Sequence, residues 1–246
     1  MNFLSGSFFG KGVRSARVAF RDLHFFALKI ESGILKRRAV VHHGLQRSGT
    51  NFLLLWLSWN RVSVLNFRDP ARDSPRHKHC RWQPEKDGLI DPIKRQYGTG
   101  HYAHTLDELD RICGYKNKPI HIVIIKEKRA WLESIANWAL RCDWFSSWDD
   151  VLTNMPKLEA DYSSYVSFWQ KMEVANPDRV WVISFKSLMD NQLDLIEGLQ
   201  ARNLGAPKSA EVFRVSEVPM SPAVRNKQIS MHQIDSYFEA RSDNLM

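Results

Sequence analysis

The stretch Ala39-Val40-Val41-His42-His43-Gly44-Leu45-Gln46-Arg47-Ser48-Gly49-Thr50-Asn51-Phe52 decides how the rest of the chain is read. Residues 39–43 open as a brief Val-rich strand, Gly44 and Gly49 bracket a polar loop, and the apolar residues from Phe52 onward read as a helix over 50–59. Strand, Gly-containing loop and helix in that order make an anion cradle. The loop's backbone N–H groups converge on one point and the helix N-terminus adds partial positive charge, so no dedicated side chain is needed.

Outward from this stretch the pattern repeats. Runs at 62–67, 120–125 and 180–184 are short and rich in Val and Ile, as strands covered on both faces are. Helical periodicity follows at 129–141, 157–173 and 186–202, the last closed by Asn203-Leu204-Gly205 and Pro207. The aromatic stripe Tyr162, Tyr165 and Trp169 on the second of these reads as core packing. Alternation of this kind predicts an α/β fold with a mostly parallel central sheet flanked by helices. With 246 residues, 43% apolar and 25% charged, the chain suits one such domain, over 38–246, and excludes collagen, coiled coil and wholesale disorder. Its longest uninterrupted apolar run, 52–57, falls far short of the roughly 20 residues needed to cross a bilayer. Cys80, Cys113 and Cys142 are few, odd in number and widely spaced, which predicts neither a disulfide framework nor a metal knuckle and points to a reducing, cytoplasmic setting.

The spacing G-x-x-x-x-G-T at 44–50 nearly matches the phosphate loop of nucleoside triphosphatases, but the lysine before the Ser/Thr is missing. A loop without it is poorly built to transfer a γ-phosphoryl group. A cation stands instead at Arg47. Here the chain resembles the sulfotransferase superfamily, whose 5′-phosphosulfate loop reads P-[KR]-S-G-T-[TS]-[WFL] after the first strand and stands in this chain as Gln46-Arg47-Ser48-Gly49-Thr50-Asn51-Phe52. The family's 3′-phosphate element is a strand ending in Arg with a Ser eight residues later; here the strand ends in Lys126, and Ser134 lies eight residues on. Lysine keeps the charge and loses the planar fork. The stretch 180–188 followed by 193–204 matches the next strand and helix of the family, which would bring Phe185 near adenine. The resemblance covers about residues 38–205; the family's C-terminal Arg-Lys-Gly stretch is absent, with Arg225 and Lys227 as weak substitutes.

What the resemblance implies is a lid-bearing, P-loop-like architecture binding 3′-phosphoadenosine 5′-phosphosulfate. Arg47, Ser48, Gly49, Thr50, Asn51 and Phe52 would hold the 5′ end, with Lys126, Ser134 and Phe185 on the 3′-phosphate and adenine side. The sulfuryl group would pass to a hydroxyl of a glycan, glycolipid or small molecule. Arg47 would face the negative charge that grows on the departing phosphate oxygen. No metal is required by this scheme. The family's base is a His or Glu between the two phosphate sites, and His79 in Lys78-His79-Cys80-Arg81 is the closest match, with His77, His101 and His104 competing. These residues lie in an excursion at 68–119, broken by Pro70, Pro75, Pro84, Pro92, Gly88, Gly98 and Gly100 and expected to form a lid over an anionic ligand, with Arg76 and Arg81 adding charge.

Net charge is +8, from 35 Lys plus Arg against 27 Asp plus Glu, which makes an anionic partner an expectation. Residues 1–38 hold eight bases and two acids, +6 of that total, on an amphipathic helical pattern. The bases follow the first apolar residues instead of preceding them, so a signal peptide fits poorly. The segment 1–37 is expected either to dock on the core, or to lie on anionic lipid or guide a charged acceptor; nucleic acid is not an expected partner. Two other readings stay open: a nucleotide kinase or triphosphatase of the same class, and a catalytically silent polyanion-binding module.

Overall fold

The computed structural model describes residues 7–68, 70–85, 100–205 and 229–242. Its elements run α1 (Ser7–Ile34), β1 (Val40–His43), α2 (Thr50–Trp59), β2 (Arg81–Gln83), β3 (Gly100–Tyr102), α3 (Leu106–Cys113), β4 (Ile120–Ile125), α4 (Lys128–Arg141), α5 (Trp148–Ala175), β5 (Val180–Ser184), α6 (Phe185–Asp190), α7 (Gln192–Ala201) and α8 (Met231–Ser242). The Val- and Ile-rich runs make a parallel sheet in the order β1-β4-β5, with His43 opposite Val123 and His121 opposite Val180. The fold is therefore α/β, a small parallel sheet with helices on both faces.

Alternation along the strands sends side chains to two separate cores. Val40, Ile120, Ile122 and Ile124 join Phe25 and Leu28 of α1, Leu53, Trp56 and Leu57 of α2 and Leu199 of α7. Val123 and Val180 join Trp131 and Ile135 of α4, Tyr165 and Trp169 of α5 and Leu109 of α3. Each fully buried Leu, Ile or Phe contributes roughly 1.5–3 kcal/mol. Tyr165 and Trp169 lie in the second core, as expected of the aromatic stripe.

Where the structure departs from expectation, the causes are local. The run at 62–67 makes a single parallel bridge, Val40 to Val64, and not a full strand. The chain turns at Leu65 and Asn66, and the Asn66 amide then replaces a strand backbone: the His42 N–H donates to Asn66 Oδ1 at 3.0 Å and Asn66 Nδ2 donates to the His42 carbonyl at 2.9 Å. Helix α5 starts nine residues before the expected 157, at Trp148, capped by Ser147 accepting from the Asp150 N–H. It continues through Pro156, because Val151, Met155 and Leu158 on the buried face hold the turns on either side. The expected helix 186–202 is two helices, α6 and α7, divided at Asn191 with φ −128° and ψ 46°. The excursion at 68–119 contains strands β2 and β3, which pair in parallel, and helix α3.

Candidate anion-binding site

From β1 the chain passes through α2 to Val64 on one side of β1, while β4 pairs on the other side. The carboxyl ends of β1 and β4 thus flank the point where the strand order reverses, where ligands collect in open α/β sheets. The loop 44–49 leaves β1 at that point. Gly49 has φ 99° and ψ 16°, and no side chain caps the α2 N-terminus it begins. A Cβ at Gly49 would fall on the Phe185 ring, and one at Gly44 would meet Ser48 Oγ and Thr50 Cγ2 at 2.6 Å, so both glycines are steric requirements. Ser48 turns inward, its Oγ donating to the Leu45 carbonyl at 2.7 Å. Trp131 of α4 pins the loop by donating its indole N–H to the Gln46 carbonyl at 2.8 Å.

Arg47 adopts φ 70°, a left-handed conformation. Its guanidinium reaches across to α4, where Nε donates to Ser134 Oγ at 3.3 Å and the cation lies 5.0 Å from the Trp138 ring centroid. Burial pushes its pKa below the usual guanidinium value. The two residues expected at opposite ends of a nucleotide are therefore in direct contact. Lys126, at the end of β4, lies with its ammonium 5.7 Å from the Phe185 ring centroid. Its carbonyl accepts the Tyr162 hydroxyl at 2.7 Å, and burial pushes the Tyr162 pKa up to about 12, keeping that donor protonated. Phe52 is buried, edge-on to Phe185. Thr50 is buried at the first turn of α2, and Asn51 is exposed beside it.

Residues 70–85 lie against this loop, and the cluster of bases there divides by role. Arg76 and Arg81 turn into the body: Arg76 Nε donates to the Cys113 carbonyl, and buried Arg81 faces Asp161 at 3.7 Å. Lys78 and His79 turn to the loop. The Gly44 N–H donates to the Lys78 carbonyl at 3.0 Å, Lys78 Nζ donates to Asn51 Oδ1 at 3.0 Å, and His79 Nδ1 meets the Gly44 carbonyl at 2.8 Å. A carbonyl can only accept, so His79 carries its proton on Nδ1 and keeps Nε2 as the basic nitrogen. His77 Nδ1 accepts the His79 N–H, His101 Nε2 meets the Asp73 carbonyl, and the His104 N–H donates to Glu108 in the first turn of α3. Residues 86–99, Pro207, Arg225 and Lys227 lie outside the described residues.

Beneath the loop is a buried chain that sequence reasoning missed. His121 Nε2 donates to Asp110 Oδ1 at 3.0 Å, which leaves His121 Nδ1 to accept from His43 Nε2, also at 3.0 Å. Arg179 closes the chain on the other Asp110 oxygen. The signal was present: His43 and His121 interrupt runs of Val and Ile that bury both faces, and a buried imidazole needs partners. Among the described residues, no group of three or more His, Cys, Asp and Glu side chains is arranged to hold a metal ion. Compared with protein-family models and with curated proteins, the chain matches none.

Proposed function

We propose that this chain is a sulfotransferase with a P-loop-like architecture, moving a sulfuryl group from 3′-phosphoadenosine 5′-phosphosulfate to a hydroxyl acceptor. One observation carries the reading: two cation-bearing elements stand at the carboxyl ends of adjacent parallel strands, the uncapped α2 N-terminus after β1 and Lys126 with Ser134 after β4, joined by the Arg47–Ser134 hydrogen bond. A nucleotide with anions on both its 5′ and 3′ oxygens fits such a pair. The amides at the start of α2 and Arg47 would hold the 5′ end, and Lys126 and Ser134 the 3′-phosphate, with Phe185 beside them.

Bound there, the donor supplies an activated sulfuryl group. The chain's own part is electrostatic and acid–base. Fixed N–H dipoles of the loop and Arg47 offset negative charge as it grows on the departing phosphate oxygen. Lys78 adds a cation beside Asn51 at the α2 N-terminus, from a different element than the missing phosphate-loop lysine. His79 accepts the acceptor's hydroxyl proton at Nε2; its Nδ1 bond to Gly44 holds base and cradle as one unit. The acceptor is a hydroxyl on a carbohydrate or small molecule. The kinase reading needs a carboxylate after the neighbouring strand for Mg²⁺. Lys126 and Glu127 stand there, and the Glu127 carboxylate is taken up as the α4 cap, accepting the N–H groups of Arg129 and Ala130 at 2.9 Å each.

Thermal denaturation with nucleotides tests the proposal. Adenosine 3′,5′-bisphosphate should raise Tm well above the shift given by adenosine 5′-phosphate, since the former alone engages Lys126 and Ser134. Equal shifts would remove the 3′-phosphate site, and a larger shift from ATP with Mg²⁺ would favour the kinase. Bisphosphate binding without transfer to any hydroxyl acceptor would favour the silent module.

A further inference from the structure

Over residues 22–34, helix α1 has two apolar faces, and the core uses one of them. Phe25 and Leu28 are 2% and 3% exposed, packed with α2 against the sheet. On the opposite side Leu23, Phe26, Ile30 and Ile34, at three- and four-residue spacing, are 64%, 58%, 50% and 75% exposed. A helix that only covered a core would carry polar residues there. Lys29 and Lys36, both exposed, flank this stripe. The acids of the segment are already neutralised: Asp22 pairs with Arg68 at 3.0 Å, and Glu31 pairs with Arg61 and Arg37.

We propose that this outward face of α1 seats the protein on an anionic lipid surface, the stripe entering the headgroup boundary and the bases facing lipid phosphates. Charge selects the occupant. Residues 1–38 carry +6, so a second copy pairing face to face across a twofold axis would set two such segments against each other, whereas an anionic bilayer complements them. Among the described residues no helix is long and apolar enough to cross a membrane, and residues 22–34 of α1, apolar on stripes instead of all round, have the form of a helix that lies in the interface.

The test uses the full chain with vesicles of phosphatidylcholine alone or mixed with phosphatidylglycerol. Binding should favour the anionic vesicles and weaken as salt rises. Leu23→Gln/Phe26→Gln/Ile30→Gln should lower vesicle affinity by at least about tenfold, because half-exposed side chains leave lipid contact and not the core. Lys29→Glu/Lys36→Glu should lower it by about tenfold or more on anionic vesicles alone. Both variants should melt with the parent, since the changed side chains face outward. If the triple variant unfolds, Lys29→Glu/Lys36→Glu carries the decision. Absence of binding, equal binding to both vesicles, or binding that neither variant weakens would overturn the proposal. So would a dimer of the parent chain that the triple variant dissociates without any vesicle binding, which would assign the face to self-association.

Discussion

Arg47 holds a left-handed backbone that costs a non-glycine residue on the order of 1–2 kcal/mol, and the surroundings must maintain it. They do so through the side chain, on Ser134 Oγ and the Trp138 face. If Arg47 at the 5′ end and Ser134 at the 3′-phosphate hold one bound nucleotide while touching each other, their effects cannot be independent. Arg47→Ala and Ser134→Ala, alone and together, should show a coupling of about 0.5–3 kcal/mol in adenosine 3′,5′-bisphosphate affinity by calorimetric titration. Strict additivity would separate them. For His79 the informative change is to Asn, whose amide N–H can keep the donation to the Gly44 carbonyl but cannot accept a proton. His79→Asn should lower sulfuryl transfer by roughly 10²–10⁴ and leave bisphosphate affinity nearly unchanged. Transfer at the parent rate would remove His79 from the mechanism, and joint loss of binding would make it a support of the loop.

At the scale of elements, the β1–α2 turn is set by two glycines and by what packs over them. Gly49→Ala combines a φ of 99° with a Cβ driven onto the Phe185 ring. Backbone strain alone is worth about 1–3 kcal/mol, so scanning calorimetry should find Tm lowered by several degrees. Phe185→Ala in the same chain should recover the steric part and not the backbone part; no loss in Gly49→Ala would mean that the loop relaxes freely. This turn was legible in the sequence, as were β1, β4, β5 and α2, because short runs of Val, Ile and Leu bounded by polar residues or glycines leave few alternatives. Strands β2 and β3 were not: Arg81-Trp82-Gln83 and Gly100-His101-Tyr102 are three residues each, with no apolar period to read. Helix α3 carried its signals, Thr105 capping the Glu108 N–H and Gly114 at φ 68°, but the density of Pro and Gly around it reads as loop. The site divides the same way. Loop residues consecutive in sequence could be identified, whereas Lys78 meets Asn51 across 27 positions, a contact that only the packing of residues 70–85 against the loop creates.

For the whole molecule, the sheet separates two cores, and the histidine chain lies on the face turned to the second, with His43 and His121 both against Trp169 and Asp110 of α3 beyond them. Its hydrogen bonds fix every proton. His121 donates to Asp110 and accepts from His43, so His43 Nδ1 is left as a buried lone pair with no partner. A proton added there would meet no acceptor among the described side chains. Burial accordingly pushes the His43 pKa well below its ordinary value, with His121 and His42 adding to the effect. Burial lowers that of His121 as well, against the pull of Asp110. The sign follows: above the unfolded-state value of about 6.5 both imidazoles are neutral whether folded or not, and stability does not depend on them. As pH falls below about 6.5 the unfolded chain takes up protons that the folded chain refuses, and stability is lost at up to about 1.4 kcal/mol per pH unit for each histidine. Urea unfolding at pH 7.5, 6.5 and 5.5 should therefore give a free energy that is level at the first step and falls at the second. His43→Gln retains a donor for His121 Nδ1 and has nothing to titrate, so it should reduce the lower slope by about half. An unchanged slope would assign the acid sensitivity to groups outside this chain, and a parent protein with no slope above pH 5.5 would mean that the buried pair accepts protons after all.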